Sequence, residues 1–473
     1  MKKYDPIVAG AAYTFGNMLI KAIPFITLPI FTRILSTADF GLYNTYLSYE
    51  NIMTILLGFG LYGTIRIAKV EYKSKFDDYI SSIYGVQLVL ALITGVIIFA
   101  FYTIITNKID VWLDHKLLII LLCHCFCMQI FSIASAKYAI NGEVKSNIIL
   151  SLIMTFLNVV LSLWLCIFVL PQATYLGRII GTFAAVFFVA VIAAIQQMKK
   201  SRKWIAIEYW KFGLRMGAPL ILHSLSLTLL SNCDKIMIQS MIGNSQAGIY
   251  SIAVTLTGIL SVLVSSADNA WAPWYYQKLE NREMTSLKKY DSYMIYAFMA
   301  VLMISILVSP ELIKCMLAQE YWDAVYVFPA LAVSIFFNFM YLIPVNFEYF
   351  HKKTSYIAYS TVLTAILNIV LNIVLIRMFG YIGAAYATML SKLVLLLMHL
   401  RKARMLENVE LIEKRVILHC SVISLLMIPI TLLVVNEWVV RYTILLVVLL
   451  GMTIFVKRNT ELNILFRKIV LRK

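Results

Sequence analysis

Long runs of apolar residues, separated by short polar segments, follow one another along the whole chain. The runs are continuous rather than alternating with period two, and apolar runs of about 18 or more residues are typical of membrane-spanning helices. The pattern predicts an all-α polytopic membrane protein with fourteen transmembrane helices. The predicted ranges are 10–34, 42–66, 79–105, 116–137, 147–170, 175–197, 216–242, 248–272, 290–309, 325–350, 356–379, 381–400, 416–435 and 438–456. We read the first as a retained helix rather than a signal peptide, because no small-residue cleavage site follows it.

The pattern of the first half recurs in the second half at an offset of about 207 residues. Residues 33–43 align with residues 240–250, and both segments end in Gly-x-Tyr. Further matches at nearly the same offset are 175–182 with 381–388 and 158–161 with 368–371. The repeat predicts two parallel-repeat six-helix bundles plus two extra C-terminal helices. The predicted divisions are 1–203, 204–410 and 411–473, the last with a basic tail.

Composition agrees with a membrane protein, since 61% of the residues are hydrophobic and only 14% are charged. The net charge of +17 does not require a nucleic-acid partner, because the charge lies mostly on one side of the predicted membrane. Of the 41 Lys and Arg residues, 31 fall in the loops and termini of that side and six on the other. This positive-inside bias predicts that both termini are cytoplasmic and that the basic loops contact anionic membrane lipids.

Seven cysteines are scattered along the chain. The segment Cys123-His-Cys-Phe-Cys127 has the residue types of a metal site, but on a helix Cys125 points away from the other two. Buried free thiols behave as small hydrophobic groups. We therefore predict no metal site and no cofactor.

Charged side chains inside the apolar helices identify the candidate site, because a charge at a helix centre costs about 2.5–3.5 kcal/mol on insertion scales. Lys21 and Lys392 lie deepest, and we interpret them as a cationic lining for an anionic substrate. The alternative is a structural ion pair inside the bundle. Arg66, at the end of predicted helix 2, and Lys235, in the outer third of predicted helix 7, are weaker candidates because both can extend to the interface.

Predicted helices 1, 2, 7 and 8 each carry a polar stripe with helical spacing, which is typical of a helix facing a protein interior or a water-filled cavity. The stripes supply the further candidates Asn17, Glu50, Thr228, Ser231 and Asp268. Asp234 is adjacent to Lys235, so the two point about 100° apart and are not expected to pair. We consider Glu50, Asp234 and Asp268 as sites for a coupling Na⁺ or H⁺. Pro219 predicts a bend in helix 7, although tolerated proline is the alternative.

The segments Pro29-Ile-Phe-Thr-Arg-Ile-Leu-Ser-Thr-Ala-Asp-Phe-Gly-Leu-Tyr43 and Asp234-Lys-Ile-Met-Ile, followed by Ala-Gly-Ile-Tyr, resemble the polysaccharide transporter branch of the multidrug/oligosaccharidyl-lipid/polysaccharide (MOP) exporter superfamily. The branch includes Wzx-type flippases of O-antigen and capsule repeat units. The resemblance implies two bundles around a cavity lined by helices 1, 2, 7 and 8. It also implies translocation of undecaprenyl-diphosphate-linked oligosaccharide across the bacterial cytoplasmic membrane, with a polysaccharide polymerase and a chain-length regulator as partners.

Three other functions compete with this interpretation. A lipid II-type flippase shares the fourteen helices. A cation-coupled drug antiporter of the same superfamily would need a cavity centred on acidic residues, whereas Lys21 and Lys392 lie deepest here. A membrane polysaccharide polymerase or glycosyltransferase would need a large outer loop or a clustered site. The short external loops argue against an enzyme, and we predict no catalytic residue.

Overall fold

The computed structural model describes residues 20, 22–106, 113–407 and 409–458. Those residues form helices joined by short turns, with no strand among them. The prediction of an all-α protein is confirmed. The α-helices are α1 (Ala22–Ile34), α2 (Thr37–Gly58), α3 (Leu61–Tyr72), α4 (Phe76–Thr106), α5 (His115–Ile140), α6 (Val144–Trp164), α7 (Thr174–Lys200), α8 (Ile207–Met241), α9 (Asn244–Glu280), α10 (Met284–Met316), α11 (Phe328–Phe350), α12 (Thr354–Phe379), α13 (Tyr381–Glu407), α14 (Lys414–Leu433) and α15 (Trp438–Arg458).

Ten candidate spans in the described residues are long and apolar enough to cross a membrane, or eleven if the bent helix α8 is counted as one span. The described parts of α1 and α15 form shorter apolar helices. Helix α2 is not in either group, because it buries polar residues such as Asn44, Ser48 and Glu50 along its length. The chain is a multi-pass membrane protein, and α2 is one of its helices that bury polar side chains.

Predicted helix 2 is two helices in the structure. Between α2 and α3, Phe59 and Gly60 have φ values of 46° and 67°, which end the first helix. A Cβ on Gly60 would collide with the carbonyl oxygen of Gly217, so the chain bends where two backbones touch. Hydropathy could not show the break, because apolar residues continue through it.

Other helix ends also differ from the prediction. Helix α8 begins at Ile207 and α9 continues to Glu280, so parts of the two basic loops expected between helices are helical. Pro219 lies inside α8, and the helix axis turns by 43° between Leu222 and Ser224. A bend is present in this helix, but it lies a few residues after Pro219, whereas the backbone hydrogen bond that a proline removes lies on its N-terminal side.

The chain forms two compact units, Met1–Ser251 and Ile252–Lys473. The first contains α1 to α8 and the first residues of α9, and the second contains the rest. The division expected from the repeat, at 203/204 and 410/411, stays a prediction.

A buried polar network ties α4, α5 and α7 together in the first unit. The Lys137 ammonium donates to Asp77 Oδ1 at 2.5 Å and to the side-chain oxygen of Gln197. Gln197 Nε2 in turn donates to Ser81 Oγ at 2.9 Å. Because Lys137 is buried, these partners offset the cost of removing its charge from water. This lysine is therefore structural.

Two glycines of the repeat meet backbone to backbone in the first unit. A Cβ on Gly41 of α2 would collide with the carbonyl of Asn244, and a Cβ on Gly248 of α9 would collide with the carbonyl of Thr37. Gly41 aligns with Gly248, and Thr37 aligns with Asn244, at the same offset of about 207 residues. The contact is therefore reciprocal, and it brings equivalent segments of the two repeat copies together.

Arg441 attaches α15 to α10 in the second unit. Its guanidinium donates to the carbonyl of Leu307 at 2.8 Å and forms a two-point contact with the Glu311 carboxylate. The arginine is buried, whereas Glu311 is partly exposed. A two-point Arg–carboxylate contact fixes the orientation of both side chains as well as their separation.

Adding one methyl group at the reciprocal glycine contact is expected to destabilise the protein. Gly41→Ala should cost about 1–3 kcal/mol, because backbone atoms rather than a flexible side chain stand where the Cβ would lie. Gly258→Ala is the matched control, since nothing lies within 4 Å of that Cβ position. The control should be neutral or slightly stabilising, because alanine favours a helix interior over glycine. Thermal unfolding in one detergent measures both variants, and equal Tm values would contradict the proposed role of the contact.

Candidate substrate and ion sites

The predicted site residues are divided between the two units. Lys21 and Asn17 lie outside the described residues, so their assignment rests on the sequence. The first unit contains Glu50, Arg66, Thr228, Ser231, Asp234 and Lys235. The second unit contains Asp268 and Lys392.

Glu50 lies inside the first unit, against α5. Its Oε1 accepts a hydrogen bond from Thr54 Oγ1 at 2.8 Å, which confirms that the two share one helix face. On the same face, Gln129 of α5 donates to the Thr54 carbonyl at 2.5 Å and the Cys125 thiol donates to the Glu50 carbonyl. A carboxylate can accept about four hydrogen bonds. Glu50 therefore has capacity left for a proton or another donor.

Asp234 is also buried, and its partner comes from the repeat motif. The hydroxyl of Tyr250 donates to Asp234 Oδ2 at 2.7 Å. The equivalent tyrosine, Tyr43, is hydrogen-bonded instead to Thr182 Oγ1 at 3.2 Å. The two Gly-x-Tyr motifs thus have the same backbone role but different polar partners.

The remaining candidates of the first unit lie towards its surface. Thr228 and Lys235 are partly buried, and Ser231 and Arg66 are exposed. The Ser231 hydroxyl bonds to the Leu227 carbonyl of its own helix at 3.0 Å. This face of α8 is polar, and of Thr228, Ser231 and Lys235 only Ser231 is exposed.

Lys392 is held between two helices of the second unit. Its ammonium on α13 donates to Asn338 Oδ1 of α11 at 3.1 Å, and the side chain is partly buried. The amide oxygen of Asn338 orients the lysine between the two helices.

Asp268 is held by an amide on the neighbouring helix. Asn346 Nδ2 of α11 donates to Asp268 Oδ1 at 2.9 Å, and the Tyr276 hydroxyl donates to Asn346 Oδ1 at 2.9 Å. The chain of hydrogen bonds fixes the amide orientation and therefore aims its N–H at the carboxylate. Asp268 keeps a second oxygen for another partner.

Sequence reasoning missed a buried polar group formed by α11, α12 and α13. His399 Nδ1 lies 2.9 and 3.0 Å from the two Glu348 oxygens, and its Nε2 lies 2.8 Å from Ser360 Oγ. The residue types are those of a hydrolytic triad, but all three side chains are fully buried and have no access for a substrate. Their role is to join three helices. The sequence contains no signal for the pairing, because the residues share no common spacing.

A cavity of about 700 Å³ lies within the first unit, between α4, α5 and α7. Its walls are mostly apolar, and they include Leu88, Leu92, Phe99, Leu122, Phe183 and Phe187. Such a lining offers few partners to phosphate or sugar groups. This cavity is therefore a poorer candidate than the charged residues for binding a phosphate or a sugar.

A family model described as polysaccharide biosynthesis protein matches residues 8–279, which is more than half of the chain. The chain belongs to this family. Two proteins of Haemophilus influenzae (strain ATCC 51907 / DSM 11121 / KW20 / Rd) are also similar to it. The Lsg locus putative protein 1 is 21% identical over 390 residues, covering 76% of this chain and 88% of its own. An uncharacterized membrane protein is 22% identical over 373 residues, covering 76% and 87%.

Solved structures with the same fold are transporters. The lipid II flippase MurJ, in an inward closed conformation, has a TM-score of 0.72 and 15% identity over 94% of this chain and 99% of that chain. An inward-facing multidrug resistance MATE family transporter of the MOP superfamily has a TM-score of 0.63 and 14% identity over 81% and 94%. The resemblance of this polysaccharide biosynthesis family member to the MOP-superfamily polysaccharide transporters is confirmed. MurJ and the MATE protein are a flippase and a transporter, not enzymes.

Breaking the buried pair of Glu348 and His399 is expected to cost much more stability than breaking an exposed pair. Glu348→Ala should cost about 3–5 kcal/mol, because it leaves His399 buried without its carboxylate partner. Glu407→Ala is the control, since its partner His351 is partly exposed and the pair should contribute less than about 1 kcal/mol. Unfolding of the purified variants gives the comparison. Similar losses in both variants would show that the buried group does not hold the three helices together.

Proposed function

We propose that the protein is a flippase for lipid-linked oligosaccharides. Its substrates would be undecaprenyl-diphosphate-linked repeat units, moved from the cytoplasmic to the outer leaflet by alternating access for synthesis of O-antigen and lipopolysaccharide, capsule or exopolysaccharide. The observation that carries the proposal is a partly buried lysine, Lys392 of α13, beside Asn338 of α11 in a chain of the polysaccharide biosynthesis family.

The chemistry of such a substrate agrees with the charged groups of the chain. A polyprenyl tail can stay in the lipid, but a diphosphate and several sugars cannot cross hydrocarbon unshielded. We assign the diphosphate to Lys21, Lys392 and Arg66, which can form charge-assisted hydrogen bonds with phosphate oxygens. The sugars would form hydrogen bonds with Lys235, Asn17, Thr228 and Ser231.

The charge distribution supports a location in the bacterial cytoplasmic membrane. We place both termini and the basic loops in the cytoplasm, where the loops would face anionic lipids. The polysaccharide polymerase and the chain-length regulator are proposed partners, since both would act on the flipped product.

A lipid II-type flippase is the second candidate, and the similarity of fold to MurJ favours it. A drug antiporter is less well supported. Such a protein would need acidic residues at the centre of its cavity, whereas the residues predicted to lie deepest here are Lys21 and Lys392. Purified protein in liposomes that contain either a lipid-linked oligosaccharide or lipid II separates the two flippases. Headgroup transfer with lipid II alone would overturn the proposed substrate.

Removing the deep lysines is expected to abolish export. Lys21→Ala and Lys392→Ala should each abolish surface polysaccharide while the protein is inserted normally, because the diphosphate loses a cationic partner. Lys392→Arg should retain part of the activity, since it keeps the charge. Lys353→Ala is the control, because this lysine is exposed at the turn after α11. Surface polysaccharide and membrane-inserted protein are measured in the same cells, and unchanged polysaccharide in Lys21→Ala would contradict the assignment.

The acidic residues are proposed sites for a coupling Na⁺ or H⁺. Glu50→Gln, Asp234→Asn and Asp268→Asn remove one negative charge each, and at least one should uncouple transport from the ion gradient. Asp323→Asn is the control, since Asp323 is exposed. Flipping is measured in proteoliposomes with an imposed Na⁺ or H⁺ gradient. Transport that keeps its gradient dependence in all three variants would remove these residues from the coupling step.

A further inference from the structure

A small polar cavity lies within the second unit, between α9, α10 and α11. Its volume is about 10 Å³, which is close to the space needed for a single water molecule. Polar groups from all three helices line it together with apolar side chains. They are Asp268, Trp271, Tyr275, Asp291 and Asn346.

Asp291 is the exceptional residue of this cavity. The side chain is 0% exposed, and neither carboxylate oxygen has a hydrogen-bond partner among the described residues. The Trp271 indole N–H is the neighbouring donor, but it is too far away or too poorly aligned for a hydrogen bond of normal geometry. The buried Tyr275 hydroxyl also lacks a partner within the described part. A buried acidic group thus faces a cavity whose donors do not satisfy it.

An ionised carboxylate is very costly in this setting. Burying an unpaired charge costs far more than burying a neutral polar group, and native proteins leave few buried polar atoms unpaired. The cation nearest along α10 is Lys288, almost one helical turn before Asp291. Its ammonium pairs with Glu410 at 3.7 Å rather than with Asp291. The neutral acid avoids the cost that the ion would incur.

We propose that Asp291 is a proton-binding residue. In the packing seen here it holds a proton, and it releases that proton to water when α9, α10 and α11 separate enough to hydrate the cavity. The exchange is a simple acid dissociation, from carboxylic acid to carboxylate with the proton passing to water. A link between this proton and transport rests on the proposed function, but the proton site itself does not.

The lining favours a proton over a metal cation. Hard cations take about six or more oxygen ligands, whereas this cavity offers two carboxylates and little space. One Asp268 oxygen already accepts from Asn346, and the Trp271 N–H would repel a cation. Among the described residues no group of three or more His, Cys, Asp and Glu could hold a metal ion.

Few titratable groups face this cavity. They are Asp268 and Tyr275 from α9 and Asp291 from α10, while α11 contributes Asn346 and apolar side chains. Helices α14 and α15 also pack on α10. No residue of α14 or α15 lines the cavity.

The test uses the full-length protein in lipid nanodiscs and needs no substrate. Infrared difference spectra over a pH series report the carbonyl band of a protonated carboxyl group, identified by its shift in D₂O. Tryptophan fluorescence over the same series reports the charge beside Trp271. The variants are Asp291→Asn, which keeps the shape of the acid, Asp291→Glu, which keeps the acid if the amide variant does not fold, and Trp271→Phe. Asp268→Asn is the matched control on the other side of the cavity.

The wild type is expected to show an acid band and a fluorescence titration with one common midpoint. Asp291→Asn should lose both signals, Asp291→Glu should keep them, Trp271→Phe should lose only the fluorescence titration, and Asp268→Asn should keep both with a shifted midpoint. An acid band that persists in Asp291→Asn, or its absence from the wild type, would overturn the proposal. So would a band that disappears when NaCl replaces choline chloride at constant pH, because that result identifies a Na⁺ site.

Export of polysaccharide by Asp291→Asn is measured separately. A loss of export supports the link between the proton and transport. Normal export in a variant that has lost the acid band would refute that link and leave the proton site in place. Failure of the proposed substrate would leave both spectroscopic results unchanged.

Discussion

The reciprocal contact of Gly41 and Gly248 is the constraint on which the first unit depends. Each glycine lies where the carbonyl of the other copy leaves no space for a side chain, at Asn244 and Thr37. Backbones that touch can pack without long side chains between them, as small residues allow in membrane proteins generally. A second close contact, between Gly60 and Gly217, lies where α2 ends and α3 begins. The polar helix α2 is thus held against its neighbours by glycines at both ends.

The buried charges fall into two groups that differ in their partners. Lys137, Glu348 and Arg441 each contact a group of opposite charge or a titratable partner, and each joins helices of one unit. Lys392 donates to an amide oxygen of Asn338, and Glu50 accepts from the Thr54 hydroxyl. A neutral partner orients a charge without cancelling its attraction for a ligand. Burial alone therefore does not distinguish a structural charge from a candidate functional one.

Much of the candidate site could be listed from the sequence, but its contacts could not. The polar stripe of Glu50 follows from helical spacing, and its hydrogen bond with Thr54 confirms that spacing. The sequence did not show that the stripe packs against α5, because that contact joins residues about 75 positions apart. Asp291 was missed for a similar reason. Its position near a helix end resembles an ordinary interfacial acid, and only the packing of α9 and α11 buries it.

The sequence by itself determined that the chain is all-α and membrane-spanning, and it predicted an internal repeat. Hydrocarbon offers no partners to the backbone, so each long apolar run must satisfy its own hydrogen bonds as a helix. Tertiary structure decided where α2 breaks, which glycines touch and which partner each buried charge has. Those outcomes depend on contacts between residues far apart in the chain, and local hydropathy contains no information about such contacts. Each helix could therefore be predicted from its own hydropathy, whereas the hydrogen-bond partners of its polar side chains could not.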